Sequence, residues 1–194
     1  MHECFLACKD AFSSGQISSK IWLCENLEKI GFDRPQTIWL YGGWHGITGL
    51  LLLARKNMPI SKIRSFDVDP ECQPVADILM ENWLWKEWTF KAFTEDCNAI
   101  DPTDGHYGPP PDIVINSSTE HFTSMDWYDN LPGGTIVVLQ SNNMPNEDHH
   151  NCYTDLGSFI SGYDLDPLFY AGQLDFSYPT WSFSRYMQIG VKPR

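Results

Sequence analysis

Twice between Gln36 and Trp83 the chain repeats one unit: an apolar run, a turn, and a segment with apolar residues at helical spacing. "QTIWLY" (Gln36 to Tyr41) leads through "GGWHG" into an apolar helix ending near Lys56, and "KIRSFDV" leads through Pro70 into a helix reaching roughly Trp83. "WTFKAFT", "DIVINS" and "GGTIVVLQ" supply a third, fourth and fifth strand, with a short helical segment near Ser124 to Asn130 between the last two. Strands alternating with helices imply a parallel sheet with right-handed crossovers. The stretch "DCNAIDPTDGHYGPPP" is rich in proline and polar residues, so the third crossover reads as a loop. A helix near Asn151 to Ser161 and two strands, "LDPLFYAGQ" and "SFSRYMQIGV", close the chain as an antiparallel hairpin.

Ahead of this core, Ile17, Ile21, Leu23, Cys24, Leu27 and Ile30 recur at helical spacing after a break at "SSGQ", with Gly31 where a helix should stop. These residues imply an N-terminal helical cap over 1–34 on a core spanning 35–194, one domain in all. The 194 residues suffice for a substantial core without staples. The six cysteines (Cys4, Cys8, Cys24, Cys72, Cys97, Cys152) form no CxxC pair and read as free thiols. With 25 acids against 13 bases, the chain lacks the positive field that supplies most affinity for phosphate backbones, which disfavours nucleic acid as partner. The longest apolar run, "ITGLLLLA", is too short to span a bilayer, and "MHECFLACKDAF" lacks the basic leader of a secretion signal. A cytoplasmic protein is the default expectation.

In an open parallel sheet, ligands bind beyond the carboxyl ends of the strands where the strand order reverses. At the first such end, Gly42 and Gly43 permit a tight turn and the helix from Gly46 points its amides into the crevice. At the second, "FDVDPECQPVADIL", Asp67 stands where both hydroxyls of a nucleoside ribose would donate to it, and Asp69 reads as the N-cap of the following helix, with Pro70 in its first turn. Asp96, in "TEDCN" at the third end, would face an adenine amino group. An ordinary solvated strand end explains any one of these acids; their order at successive strand ends is what favours a nucleoside.

On "WLYGGWHG", "FDVDPECQPVADIL", "FTEDCNAID" and "PDIVINSSTEHF", the chain resembles the class I S-adenosylmethionine-dependent methyltransferases over Gln36 to about Gln140, together with the antiparallel ending. The resemblance implies a Rossmann-like, doubly wound, mostly parallel seven-stranded sheet with a C-terminal antiparallel hairpin. It implies S-adenosyl-L-methionine as cofactor, held by Tyr41, Gly42, Gly43, Gly46, Asp67, Val68, Asp96, Cys97 and Asn116, and a small-molecule or peptide methyl acceptor. Gly42 and Gly46 match the first and last glycines of the family loop, while Trp44 stands at the middle one and Leu40 replaces the acid that often leads it. "NSSTEH" lacks the paired prolines of base-directed amino methyltransferases; instead Asn116, Glu120 and His121 cluster past the strand end as catalytic candidates. His121 or Glu120 would take a proton from the nucleophile; the blander reading of His121 is a helix-start residue bonded to backbone.

The fifth end, "LQSNNMPNEDHHN", is dense in acids and histidines (Glu147, Asp148, His149, His150), but adjacent residues converge on one ion only with help from a distant strand. A solvated loop facing substrate is the expectation, with no metal. "YPTW" (Tyr178 to Trp181) reads as either a substrate-side loop or a contact in a homo-oligomer. Trp83, Trp85 and Trp88 read as core or interface rather than a stacking platform. An NAD-dependent oxidoreductase would also use Asp67 but requires a second glycine where Trp44 stands. A regulatory or non-methylating protein on the same fold is the remaining alternative.

Overall fold

The computed structural model describes residues 9–84 and 87–194; Cys4, Cys8 and Trp85 lie outside the described residues. Helix α1 (Ser14–Glu28) precedes β1 (Gln36–Tyr41), α2 (Ile47–Arg55), β2 (Ile60–Asp67), α3 (Cys72–Leu79), α4 (Glu81–Leu84) and β3 (Phe90–Thr94). Then follow β4 (Ile113–Asn116), α5 (Asp126–Asp129), β5 (Ile136–Asn142), α6 (Leu156–Ser161), β6 (Leu168–Ser177) and β7 (Ser182–Val191). The strands form one seven-stranded sheet ordered β3-β2-β1-β4-β5-β7-β6. Strands β1 to β5 pair in parallel, while β7 runs antiparallel to both β5 and β6.

The sheet's period of two sorts its side chains into two cores. Ile38, Leu40, Ile63, Ile113, Ile115 and Met187 face one layer with Leu23 and Leu27 of α1, and Trp39, Tyr41, Phe66, Val114, Leu139 and Tyr186 face the other with Trp127, Phe159 and Tyr163. The first core is mostly aliphatic and the second is a lattice of tilted and edge-to-face rings, such as Tyr41 on Trp127 at 6.0 Å. Because β1 lies at the centre with cover on both faces, all its residues are buried, whereas the edge strand β6 is half exposed.

The loop expected between β3 and β4 holds only a short 3-10 helix, Cys97–Ala99. Buried Arg64 binds it from below, donating through Nε to the Tyr107 carbonyl at 2.9 Å.

Two boundaries differ from the sequence expectation. Helix α3 starts at Cys72 with Glu71 as its N-cap, so Asp69 does not cap it; Asp69 Oδ1 instead accepts from the Glu71 amide at 2.9 Å and closes the Pro70–Glu71 turn ahead of the helix. The helix ends at Leu79, and a separate turn of helix, α4, carries Trp83, while Trp88 is exposed. In α1 the inward face is Ser19, Lys20, Leu23, Cys24, Asn26 and Leu27 rather than the stripe through Ile17 and Ile21. The polar members go inward because partners wait there: Ser19 Oγ donates to Gln140 Oε1 of β5 at 3.1 Å, and Gln140 Nε2 donates back to the Ser19 carbonyl at 3.2 Å.

Candidate functional site

Strand order reverses between β1 and β4, and beyond their carboxyl ends lies a cavity of about 770 Å³. Each parallel strand contributes to its wall: Gly42, Gly43 and Trp44 after β1, Asp67 to Asp69 at β2, Asp96 to Asn98 after β3, Ser117, Ser118 and Glu120 to Thr123 after β4, and Met144, Asn146, Asp148 and His149 after β5. Asp10 ahead of α1, Gln16 and Lys20 of α1, and Arg185 of β7 complete it.

Of the residues singled out from sequence, Gly42, Gly43, Asp67, Val68, Asp96, Cys97, Glu120 and His121 line this cavity. Tyr41, Gly46 and Asn116 do not. Tyr41 is buried in the aromatic core, which pushes its phenol pKa upward. Gly46 begins α2 in the left-handed region at φ 76°. Asn116 is buried behind the wall, its Oδ1 accepting from the Ser118 amide at 3.1 Å.

Within the β1 turn, Gly42 sits at φ +60°, and a Cβ on Gly43 would lie 2.0 Å from Ser65 Oγ, so the chain's own packing demands both glycines. Trp44 also takes a left-handed backbone, φ 48°, and the conformation is held by Asp67: Oδ2 accepts from the Trp44 amide at 2.8 Å while Oδ1 accepts from the Asp69 amide at 3.1 Å. Each oxygen keeps a second lone-pair direction. The Trp44 ring lies stacked on His45, centroids 4.9 Å apart and planes 25° from parallel. His45 is itself buried, which lowers its pKa. Val68, beside Asp67, is 67% exposed, an apolar surface on the cavity's rim. Asp96 Oδ1 accepts from the Asn98 amide at 2.9 Å.

The opposite wall is built from side chains far apart in sequence. Glu120 is buried, bonded through Oε1 to Asn142 Nδ2 and 3.9 Å from Arg185 Nη2. Arg185 in turn donates through Nη1 to the Ser117 carbonyl at 3.1 Å. Lys20, also buried, donates to Gln16 Oε1 at 2.6 Å; burial, reinforced by Arg185, brings its pKa down to about 8. His121 Nδ1 meets the Asp148 carbonyl at 3.1 Å, and its ring lies edge-on to that of His149 at 4.8 Å. Glu120, His121 and His149 thus stand together, where the sequence suggested a solvated, substrate-facing loop around His149 and no metal.

Sequence reasoning placed His149 in a substrate-facing loop but missed Lys20 and Arg185 as members of the same wall. Arg185 carried no local signal, since it sits inside an ordinary apolar strand. Lys20 had one: it falls on the buried face of α1, where a lysine needs a reason. The "YPTW" loop does not line the cavity; Tyr178 and Trp181 stack on each other at 4.5 Å.

No family model and no curated protein matches the sequence. Solved structures do match the fold. The YcgJ protein from Bacillus subtilis superposes with a TM-score of 0.63 at 11% identity, over 89% of this chain and 98% of that one. Magnesium protoporphyrin IX methyltransferase (ChlM) from Synechocystis PCC 6803 with bound SAM gives 0.59 at 10% identity, over 91% and 79%. The CurJ carbon methyltransferase gives 0.56 at 14% identity, over 89% and 54%. Strand order, the reversed β7 and these superpositions agree: the chain has the Rossmann-like, seven-stranded fold of the class I S-adenosylmethionine-dependent methyltransferases.

Proposed function

We propose that the protein is an S-adenosylmethionine-dependent methyltransferase acting on a small molecule or a peptide side chain. The observation that carries this reading is Asp67: a carboxylate at the end of β2, opening on the cavity, its two oxygens each tied by one backbone amide and each with a lone pair left. Two ribose hydroxyls match that acceptor pair, with charge-assisted bonds that neutral acceptors would not supply. Val68 would cover one face of the adenine, and Asp96, two strands from the turn, would meet its amino group. The residues present therefore fit the nucleoside half of the cofactor. Trp44 replaces a glycine by a ring that lies flat on His45, so the middle position of the turn is filled without its backbone leaving the cavity wall.

Bound there, S-adenosylmethionine supplies an electrophilic methyl group on a sulfonium. The chain's contribution would be chiefly placement: a nucleoside held by Asp67 and Asp96 would lie over β1 to β3, leaving the β4 and β5 ends for the acceptor. Glu120 and His121 face that acceptor region, and Lys20 and Arg185 give it positive charge.

Calorimetric titration with S-adenosylmethionine, S-adenosylhomocysteine and NAD tests the assignment. Micromolar binding of the first two, lost in Asp67→Ala, is expected; equal affinity in wild type and Asp67→Ala, or a preference for NAD, would defeat it.

A further inference from the structure

We propose that Glu120, His121 and His149 form a site for one divalent transition-metal ion at the β4–β5 end of the cavity. Each offers one ligand atom, and the three atoms lie within 4.8 Å of one another. Donors at about 2.1 Å from a common ion stand roughly 3–3.5 Å apart, so binding requires side-chain rotation that draws the three groups together by about 1–2 Å.

Two independent features prepare these groups for an ion. First, Nδ1 of His121 faces the Asp148 carbonyl at 3.1 Å and Nδ1 of His149 faces the Met144 carbonyl at 2.8 Å. A carbonyl only accepts, so both rings carry their proton on Nδ1 and present the Nε2 lone pair, the tautomer that outer-shell bonds impose on metal-binding histidines. Second, Glu120 is 2% exposed, yet its Oε2 has no partner among the described residues, while Oε1 is engaged by Asn142. A buried carboxylate oxygen left unsatisfied is costly, and a bound ion is one of the few things that repay it.

The donor set chooses the ion. Two imidazoles and one carboxylate suit Zn²⁺, Co²⁺, Mn²⁺ or Fe²⁺, whereas Mg²⁺ and Ca²⁺ prefer oxygen alone. Three protein ligands leave positions open toward the cavity, as a catalytic rather than a structural site requires. Lys20 and Arg185, both near Glu120, oppose a cation and moderate the affinity. An acceptor hydroxyl entering an open position would bind as its conjugate base, its proton passing to water; this one consequence rests on the methyl-transfer reading, and the metal site does not.

The full chain, stripped with chelator, is titrated with Zn²⁺ by calorimetry and with Co²⁺ by visible absorption. One equivalent of Zn²⁺ should bind, and Co²⁺ should give the spectrum of a mixed nitrogen–oxygen site. Losing a ligand should cost no less than the ~10–100-fold that losing an outer-shell partner costs. His149→Ala and Glu120→Gln should therefore each weaken binding by at least that much, with circular dichroism confirming that both variants fold, and His150→Ala, at an exposed neighbour, should not. No saturable binding, equal affinity in His149→Ala, or loss confined to His150→Ala would overturn the site. S-adenosylhomocysteine titrated into the same samples keeps the outcomes separable: zinc bound without the nucleoside would sink the methyl-transfer reading and leave the metal site standing, and the reverse result would do the opposite.

Discussion

The two halves of the cavity wall are built in opposite ways. At the β1–β3 end, the polar groups that line the cavity are met by their own neighbours: Asp67 by the amides of Trp44 and Asp69, Asp96 by Asn98, and the Gly43 amide by the Phe66 carbonyl; behind them, both ring nitrogens of His45 are buried without partners among the described residues. At the β4–β5 end, Glu120 Oε2 and Arg185 Nε, on the wall itself, are buried without partners among the described residues, and the bonds that exist cross long stretches of chain. One end is a backbone template, rigid before anything binds. The other is a charged side-chain network, in which each member holds another in place and losing one leaves the rest exposed to the full cost of burial.

The sharpest way to break this comparison is Glu120→Ala. It leaves Arg185 and Lys20 buried without their nearby carboxylate, and removing one partner of a buried pair costs about 3–5 kcal/mol. Denaturant unfolding should show a loss of that size, with Glu120→Gln milder because its amide oxygen still accepts from Asn142. A loss under about 1 kcal/mol in Glu120→Ala would mean that the network is solvated and the contrast false. Asp67→Ala should do the reverse, sparing most stability and removing two charge-assisted bonds to ribose. At about 1.5 kcal/mol each these amount to roughly 100-fold in affinity for S-adenosylhomocysteine.

The same contrast explains what the sequence made legible. The strands β1 to β5 are short apolar runs closed by turn residues, so their existence and their succession along the chain follow from local pattern, as do the glycine turn and Asp67 at a strand end. The helix start at Cys72 did not, because Asp69, Pro70 and Glu71 satisfy helix-start and turn rules equally and the turn won. The inward polar face of α1 was hidden because its cause, Gln140, lies across the sheet. Glu120, His149 and Arg185 are brought together by strand order alone, and no window of sequence contains that information.

Lys20 offers a smaller test at the network end. Its folded pKa, about 8, lies below the ordinary value of 10.5, so between these limits the unfolded chain binds the extra proton. Lysine ionisation therefore makes stability rise with pH from about 8 to 10.5, and below 8 its penalty is constant. The buried thiols of Cys24, Cys72 and Cys97, all pushed upward by burial, pull the other way above about pH 9. The lysine's part must be taken as the difference between wild type and Lys20→Met. Wild type should gain on the variant as pH rises, the difference between their unfolding free energies changing by about 3 kcal/mol from pH 8 to 10.5. Parallel curves would show that Lys20 is hydrated and belongs to solvent rather than to the network.

The smallest effect separates the two acids of "FDVD". Asp69 closes the turn before α3 through its bond to the Glu71 amide, an exposed contact, and Asp67 holds the Trp44 loop and opens on the cavity. Asp69→Ala should cost about 1 kcal/mol of stability, the scale of a lost side-chain cap, and leave nucleoside affinity within about twofold of wild type. Asp67→Asn is its counterpart, since its remaining oxygen keeps one of the two backbone amides, the other amide loses its acceptor, and the charge that strengthens bonds to the hydroxyls is gone. It should lose affinity well beyond twofold while costing stability on the same ~1 kcal/mol scale as Asp69→Ala. If both substitutions lower affinity equally, the turn and the ribose carboxylate act as one unit, and the β1–β3 end is a coupled network too, differing from the β4–β5 end only in being exposed.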